Sequence, residues 1–167
     1  MTNARIAASD QDHVYAIGIG SNRPFSRALG PRAIVKAAFA ALGAAPLRLL
    51  ASSPIIATRP LGPSLRTYAN AAALVVSPLT PPEMLDLLQS LERRFGRRRY
   101  RRWGARTLDL DILLWSGGSV RSTRLTVPHA ALHLREFALT SLMAVAPDWR
   151  VPMRGGTTAQ LAARLDR

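Results

Sequence analysis

The 167-residue sequence contains no cysteine, which excludes disulfides, thiolate nucleophiles and cysteine-ligated zinc. Acids are scarce: 10 Asp and Glu face 23 Lys and Arg for a net charge of +13, and Lys36 is the lone lysine, so almost every cation is a guanidinium. Long apolar runs are missing too. The longest uncharged stretch, "TYANAAALVVSPLTPP" (67–82), is broken by polar residues and proline, and the first residues lack the basic-then-apolar layout of a signal peptide. A soluble, cytoplasmic chain without a membrane segment is expected.

What is present suits one domain. Hydrophobic residues make up 48% of the chain, enough at this length for one core and too little for two. Residues 1–12 read as a loose tail and 13–167 as a single domain. No long apolar face remains once the core is assigned, so a monomer is expected.

"HVYAIGIGSN" (13–22) reads as a strand running into a Gly-Ser-Asn turn. Pro31 opens a helix over 31–42 that repeats Ile34, Val35, Ala38, Phe39 and Leu42 at helical spacing and stops at Gly43. Strands follow over 47–58 and 70–77. Thr80 and Glu83 have the spacing of a capping box, and Met84, Leu88, Leu91 and Phe95 recur on one face until Gly96. A strand over 107–115 and helices over 136–146 and 158–165 complete the chain. The order βαββαβ, with extra C-terminal helices, predicts a ferredoxin-like α+β sandwich: an antiparallel sheet with helices packed on one face.

Charge is concentrated. Arg93, Arg94, Arg97, Arg98, Arg99, Arg101, Arg102 and Arg106 place eight cations within 14 residues that hold no acid, which implies an anionic partner such as a polyphosphate or nucleic acid. The run leads directly into "LDLDILLW", where strand alternation puts Asp109 and Asp111 on one face and Leu108, Leu110, Ile112 and Leu114 on the other. Carboxylates that close oppose one another's ionisation unless a cation joins them. Mg²⁺ with phosphate is one solution; plain ion pairs with Arg106 or Arg124 are another. "GIGSNR" opens like a dinucleotide fingerprint but has Arg23 where the third glycine belongs, and Ser21 or Asn22 could serve merely as a helix cap. Of the three histidines, His13, His129 and His133, none stands out by local pattern.

The segment "RRWGARTLDLDILLW" (101–115) resembles the signature of the 6-hydroxymethyl-7,8-dihydropterin pyrophosphokinases. "IGSN" (19–22), "TRPLG" (58–62), "YAN" (68–70), "QSLE" (89–92), "LTVPH" (125–129) and "REF" (135–137) occur in that family's order, over roughly residues 14–152. The resemblance implies transfer of diphosphate from ATP to the pterin hydroxymethyl group, giving AMP, within folate biosynthesis. It further implies two Mg²⁺ ions on Asp109 and Asp111, and phosphate contacts from Arg97, Arg106, His129, Arg135 and Arg99. Gln89, Glu92, Trp103 and Thr126 match positions on the nucleotide side. The pterin would stack between Tyr68 and Phe137 and be read by Asn70, with Thr58, Leu61, Gly62 and Asn22 around it. A reading from another class is a non-catalytic, basic RNA-binding module, which would need aromatic residues exposed on the sheet.

Overall fold

Alternating apolar residues put β1 (His13–Ser21) at the centre of an antiparallel sheet. It pairs on one side with β4 (Tyr68–Ser77) and on the other with β5 (Asp109–Trp115). Both β2 (Arg48–Ser52) and β3 (Ile56–Thr58) pair with β4, giving the order β2-β4-β1-β5. This is the ferredoxin-like arrangement. The computed structural model describes residues 12–59, 67–96 and 106–165.

Helix α1 (Pro31–Leu42) begins with proline in its first turn and ends on Gly43, burying Ile34, Val35, Ala38 and Leu42. Helix α2 (Pro81–Arg94) has the expected capping box: the Thr80 N–H donates to Glu83 Oε2 at 2.8 Å, and Met84, Leu88 and Leu91 are buried. Neither Ser21 nor Asn22 caps a helix, since Gly30 stands at the N-cap of α1. Both helices pack on the sheet face bearing Tyr15, Ile17, Ile19, Ala71, Ala73, Val75, Leu110 and Ile112.

Helices cover the second face as well, which corrects the one-sided expectation. There α3 (Glu136–Val145) and α4 (Thr158–Leu165) bury Leu139, Leu142 and Leu161 against Ala16, Ala72, Leu113 and Leu114. Small residues on β1 and β4 let this second layer approach closely.

Two strands also differ from the sequence reading. The stretch 47–58 is two strands, because Ser53 turns both of its groups onto Ala72: its N–H donates to the Ala72 carbonyl and its hydroxyl accepts the Ala72 N–H, each at 2.8 Å. Pro54, lacking an N–H, follows at the break. In β5 the register against β1 jumps from Ile17↔Ile112 to Ala16↔Leu114. The extra residue, Leu113, bulges, so Leu114 joins the α3 side instead of the face of Leu110 and Ile112. The short pairs β6 (Val120–Arg121) with β7 (Thr126–Val127), and β8 (Arg150–Val151) with β9 (Gly156–Thr157), are too brief for sequence periodicity to reveal.

Candidate active site

The α3-facing side of the sheet carries a shallow trough whose composition follows from strand register. Asp109 lies opposite Gly20, Gly20 opposite Asn70, and Asn70 opposite Ile56. One step along, Asp111 lies opposite Gly18 and Gly18 opposite Ala72. Paired residues share a face, so two carboxylates stand on one side of a glycine floor, with Asn70 on the other. The glycines keep that floor open: a Cβ on Gly20 would sit 3.1 Å from Asn70 Oδ1, and one on Gly18 would sit 3.2 Å from the Leu113 side chain. Sequence reasoning missed this role for both, having weighed "GIGSNR" as a fingerprint, a strand-end turn or a helix cap. Glycine at alternate positions inside a strand was the available signal.

Asn70 is buried, and its Nδ2 donates to Thr58 Oγ1 at 2.5 Å, tying β4 to β3. Tyr68 lies opposite Thr58, and Phe137 stands in the first turn of α3 against the Ala72–Leu113 cluster. Both rings are half-buried, and both belong to the elements that flank the trough.

The carboxylates are held by cations. Arg106 Nη1 donates to Asp109 Oδ2 at 2.7 Å, and Arg135 Nη1, at the N-terminus of α3, donates to Asp111 Oδ2 at 3.3 Å. Arg124, the other partner considered, pairs with Asp86 on α2 instead. Asn22 fixes the Arg106 backbone from both directions: its Oδ1 accepts the Arg106 N–H at 2.8 Å, and its own N–H donates to the Arg106 carbonyl at 3.1 Å. That leaves Asn22 Nδ2 as a buried amide without a partner among the described residues.

His129 enters from the end of β7. Its N–H donates to the Leu113 carbonyl at 3.0 Å, and Nδ1 accepts the Ala131 N–H at 3.2 Å. In the neutral ring the proton therefore sits on Nε2, which faces Asp111 Oδ1 at 3.9 Å. Burial and the neighbouring Asp109 charge raise the Asp111 pKa, against the pull of His129, Arg135 and Arg106. Burial lowers the His129 pKa, helped by Arg135 and opposed by Asp111 and Asp109. Burial also works against the Arg106 charge, but Asp109, Asp111 and Glu92 outweigh it and raise the Arg106 pKa overall.

A stability signature follows from the histidine. Its folded pKa lies below the unfolded value of about 6.5, so the unfolded chain binds more protons at this site. The contribution is complete above the unfolded pKa and is lost as pH falls through the folded one. Urea midpoints measured from pH 8 to pH 5 will therefore drop more steeply for the native chain than for His129→Asn. Equal slopes would show that His129 is not held neutral.

Of the remaining expected residues, Gln89 is half-buried on α2, and Thr126 is exposed on β7 opposite Arg121. Glu92 is buried and accepts the Leu110 N–H at 2.8 Å. Arg97, Arg99, Trp103, Leu61 and Gly62 lie outside the described residues.

A family model described as 7,8-dihydro-6-hydroxymethylpterin-pyrophosphokinase matches residues 16–147, a span that holds the whole trough and every residue around it. The chain belongs to this family. A Synechocystis 2-amino-4-hydroxy-6-hydroxymethyldihydropteridine pyrophosphokinase is 39% identical over 109 residues, 65% of this chain and 56% of its own. The Methylorubrum extorquens protein of that name is 36% identical over 153 residues, covering 90% of this chain and 92% of its own. The chain thus spans little more than half of the first relative and nearly all of the second. In fold it resembles the Plasmodium falciparum HPPK-DHPS crystal structure with SDX-DHP, at TM-score 0.68 and 11% identity, over 92% of this chain and 44% of that one. Among the described residues no helix is long and apolar enough to cross a membrane. The RNA-binding reading gains no support from these pyrophosphokinase relatives.

Proposed function

We propose that the chain transfers the terminal diphosphate of ATP to the hydroxymethyl group of 6-hydroxymethyl-7,8-dihydropterin, forming the pterin diphosphate and AMP in folate biosynthesis. One observation carries the reading: across a glycine floor, Asp109 and Asp111 face Asn70, with Arg106, Arg135 and His129 gathered around the carboxylates. Family membership supports it. The pterin is assigned to the Asn70 side, between Tyr68 and Phe137, where flat rings suit a flat heterocycle and a buried amide can read its donors and acceptors. Thr58 orients that amide.

The donor set fits Mg²⁺. Among the described residues no group of three acids or histidines could hold a metal alone, whereas Mg²⁺ commonly takes one or two carboxylates and completes its shell with substrate phosphates. Asp109 and Asp111 would hold it, two ions in this reading, and it would neutralise phosphoryl charge and acidify the pterin hydroxyl. Arg106, Arg135 and His129 would bind the triphosphate, joined by Arg97 and Arg99. Gln89, Trp103 and Thr126 are assigned to the nucleotide.

In the reaction the hydroxymethyl oxygen bonds to the β-phosphorus, the bond from that phosphorus to the α,β-bridging oxygen breaks, and AMP departs with the electron pair. Asp111 is assigned the hydroxyl proton. In this reading the protein acts on two small water-soluble substrates, as a cytoplasmic monomer that needs no nucleic acid. Incubating the protein with MgATP will yield AMP only when the pterin is present. ADP as the product, or AMP formed without pterin, would overturn the assignment.

A further inference from the structure

Glu92 is an acid in the wrong place for an ordinary helix surface. It lies in the last turn of α2 beside the buried Leu88 and Leu91, and only 4% of it is exposed. A carboxylate that deep needs hydrogen bonds and opposite charge to offset its lost hydration. It has both: Oε1 accepts the Leu110 N–H at 2.8 Å, and its charge is among those that hold the Arg106 guanidinium protonated.

Leu110 is the residue between the two aspartates. Among the described residues, strand β5 is an edge strand that pairs with β1 alone, so its outward N–H groups face no neighbouring strand there. Leu110 turns its side chain into the α1–α2 core, while Asp109 and Asp111 point to the other face. Its outward N–H is the one Glu92 takes. Further along the same edge, the Leu113 carbonyl is taken by the His129 N–H. The free edge of the aspartate strand is thus pinned on either side of Asp111, once from α2 and once from the histidine that faces it.

We propose that Glu92 is a positioning residue: through the Leu110 N–H it fixes the strand segment that carries Asp109 and Asp111, and it acts on the reaction through that strand without touching the nucleotide. The expectation drawn from family resemblance, which put Glu92 on the nucleotide side, is replaced by one in which α2 braces the carboxylates from behind. The inference rests on the pyrophosphokinase reading for its kinetic consequences but not for its structural content.

Two variants separate the possibilities. Glu92→Gln keeps an oxygen that can accept the Leu110 N–H and removes the charge; Glu92→Leu keeps the size and removes the acceptor. In Glu92→Leu the Leu110 amide, followed by hydrogen exchange in the free protein, is expected to exchange at least tenfold faster. Its kcat for AMP formation is expected to fall at least tenfold while KM for ATP moves less than threefold. Glu92→Gln is expected to restore most of the kcat. A rise in KM for ATP of tenfold or more in both variants, with Leu110 exchange unchanged, would place Glu92 on the nucleotide and overturn the proposal. Native kcat in a folded Glu92→Leu would overturn it equally. If Glu92→Leu does not fold, Glu92→Gln decides: Leu110 exchange, kcat and KM for ATP all within threefold of native are expected, and a rise in KM for ATP of tenfold or more with Leu110 exchange unchanged would overturn the proposal. Should the native chain make no AMP, the function reading falls, and Leu110 exchange in the variants alone decides whether Glu92 holds the strand.

Discussion

Asp109→Ala and Asp111→Ala will each reduce pterin-dependent AMP formation by about 10³-fold or more, with the fold intact. The size follows from the work assigned to the carboxylates: charge stabilisation worth several kcal/mol at the transferring phosphoryl group converts, at 1.36 kcal/mol per factor of ten, into roughly three decades of rate. Loss of fold is a poor alternative explanation, because both side chains lie on the trough face and the β5 core residues Leu110 and Ile112 point the other way. A stability measurement makes the point independently. Burial and Asp109 raise the Asp111 pKa, so the folded protein disfavours its charged form. Its stability contribution is whole below the unfolded pKa of about 3.9 and is lost as pH rises through the folded value. Asp111→Asn removes that penalty. Its melting temperature should therefore exceed that of the native chain at pH 7, and the gap should close towards pH 4. A less stable Asp111→Asn at pH 7 would mean that the Arg135 pair at 3.3 Å outweighs the cost of burial. An inactive yet more stable variant is the expected result, the usual mark of a group kept for chemistry and not for folding.

The sequence made some of this plain and hid the rest for identifiable reasons. The helices announced themselves because their termini use local chemistry: proline at the start of α1, the Thr80–Glu83 box on α2 and Gly43 as a stop are contacts made within a few residues. The side-by-side placement of Asp109 and Asp111 was equally legible, since alternation along a strand is also local. The second helical layer was not, because what admits it is small residues on β1 and β4 meeting Leu113 on β5, a contact set by long-range register. The β5 bulge that returns Leu114 to that layer is invisible in a run of leucines for the same reason. At the site, resemblance supplied residues and the structure supplied their relations. Asn22, expected near substrate, spends its carbonyl on Arg106, and Glu92, expected near nucleotide, faces a backbone amide. Most side-chain hydrogen bonds go to backbone or water, and sequence alone does not tell a side chain that holds the backbone from one that holds a ligand.

Arg106→Ala will lower kcat by about 10²–10³-fold, the range found when one preorganised donor to developing charge is removed. Arg106→Lys will recover little of that loss, because a point charge cannot reproduce the planar fork that binds carboxylate and phosphate together. Contrast with Arg124 gives the prediction its edge. Both arginines make one short contact to an aspartate, 2.7 Å for Arg106 with Asp109 and 2.6 Å for Arg124 with Asp86, so bond length does not distinguish them. Setting does. Arg124 and Asp86 are 59% and 60% exposed, a pair worth about 1 kcal/mol or less, and Arg124→Ala should leave AMP formation unchanged. Arg106 has its backbone clasped by Asn22 from both sides and three carboxylates, Asp109, Asp111 and Glu92, bearing on its charge. Its removal has a second consequence. Arg106 is one of the charges that pull the Asp111 pKa down, so in Arg106→Ala that pKa climbs further, and in the metal-free protein the Asp111 carboxyl, followed by NMR, titrates at higher pH than in the native chain. Loss of rate without that movement would limit Arg106 to binding phosphate and separate it electrostatically from Asp111.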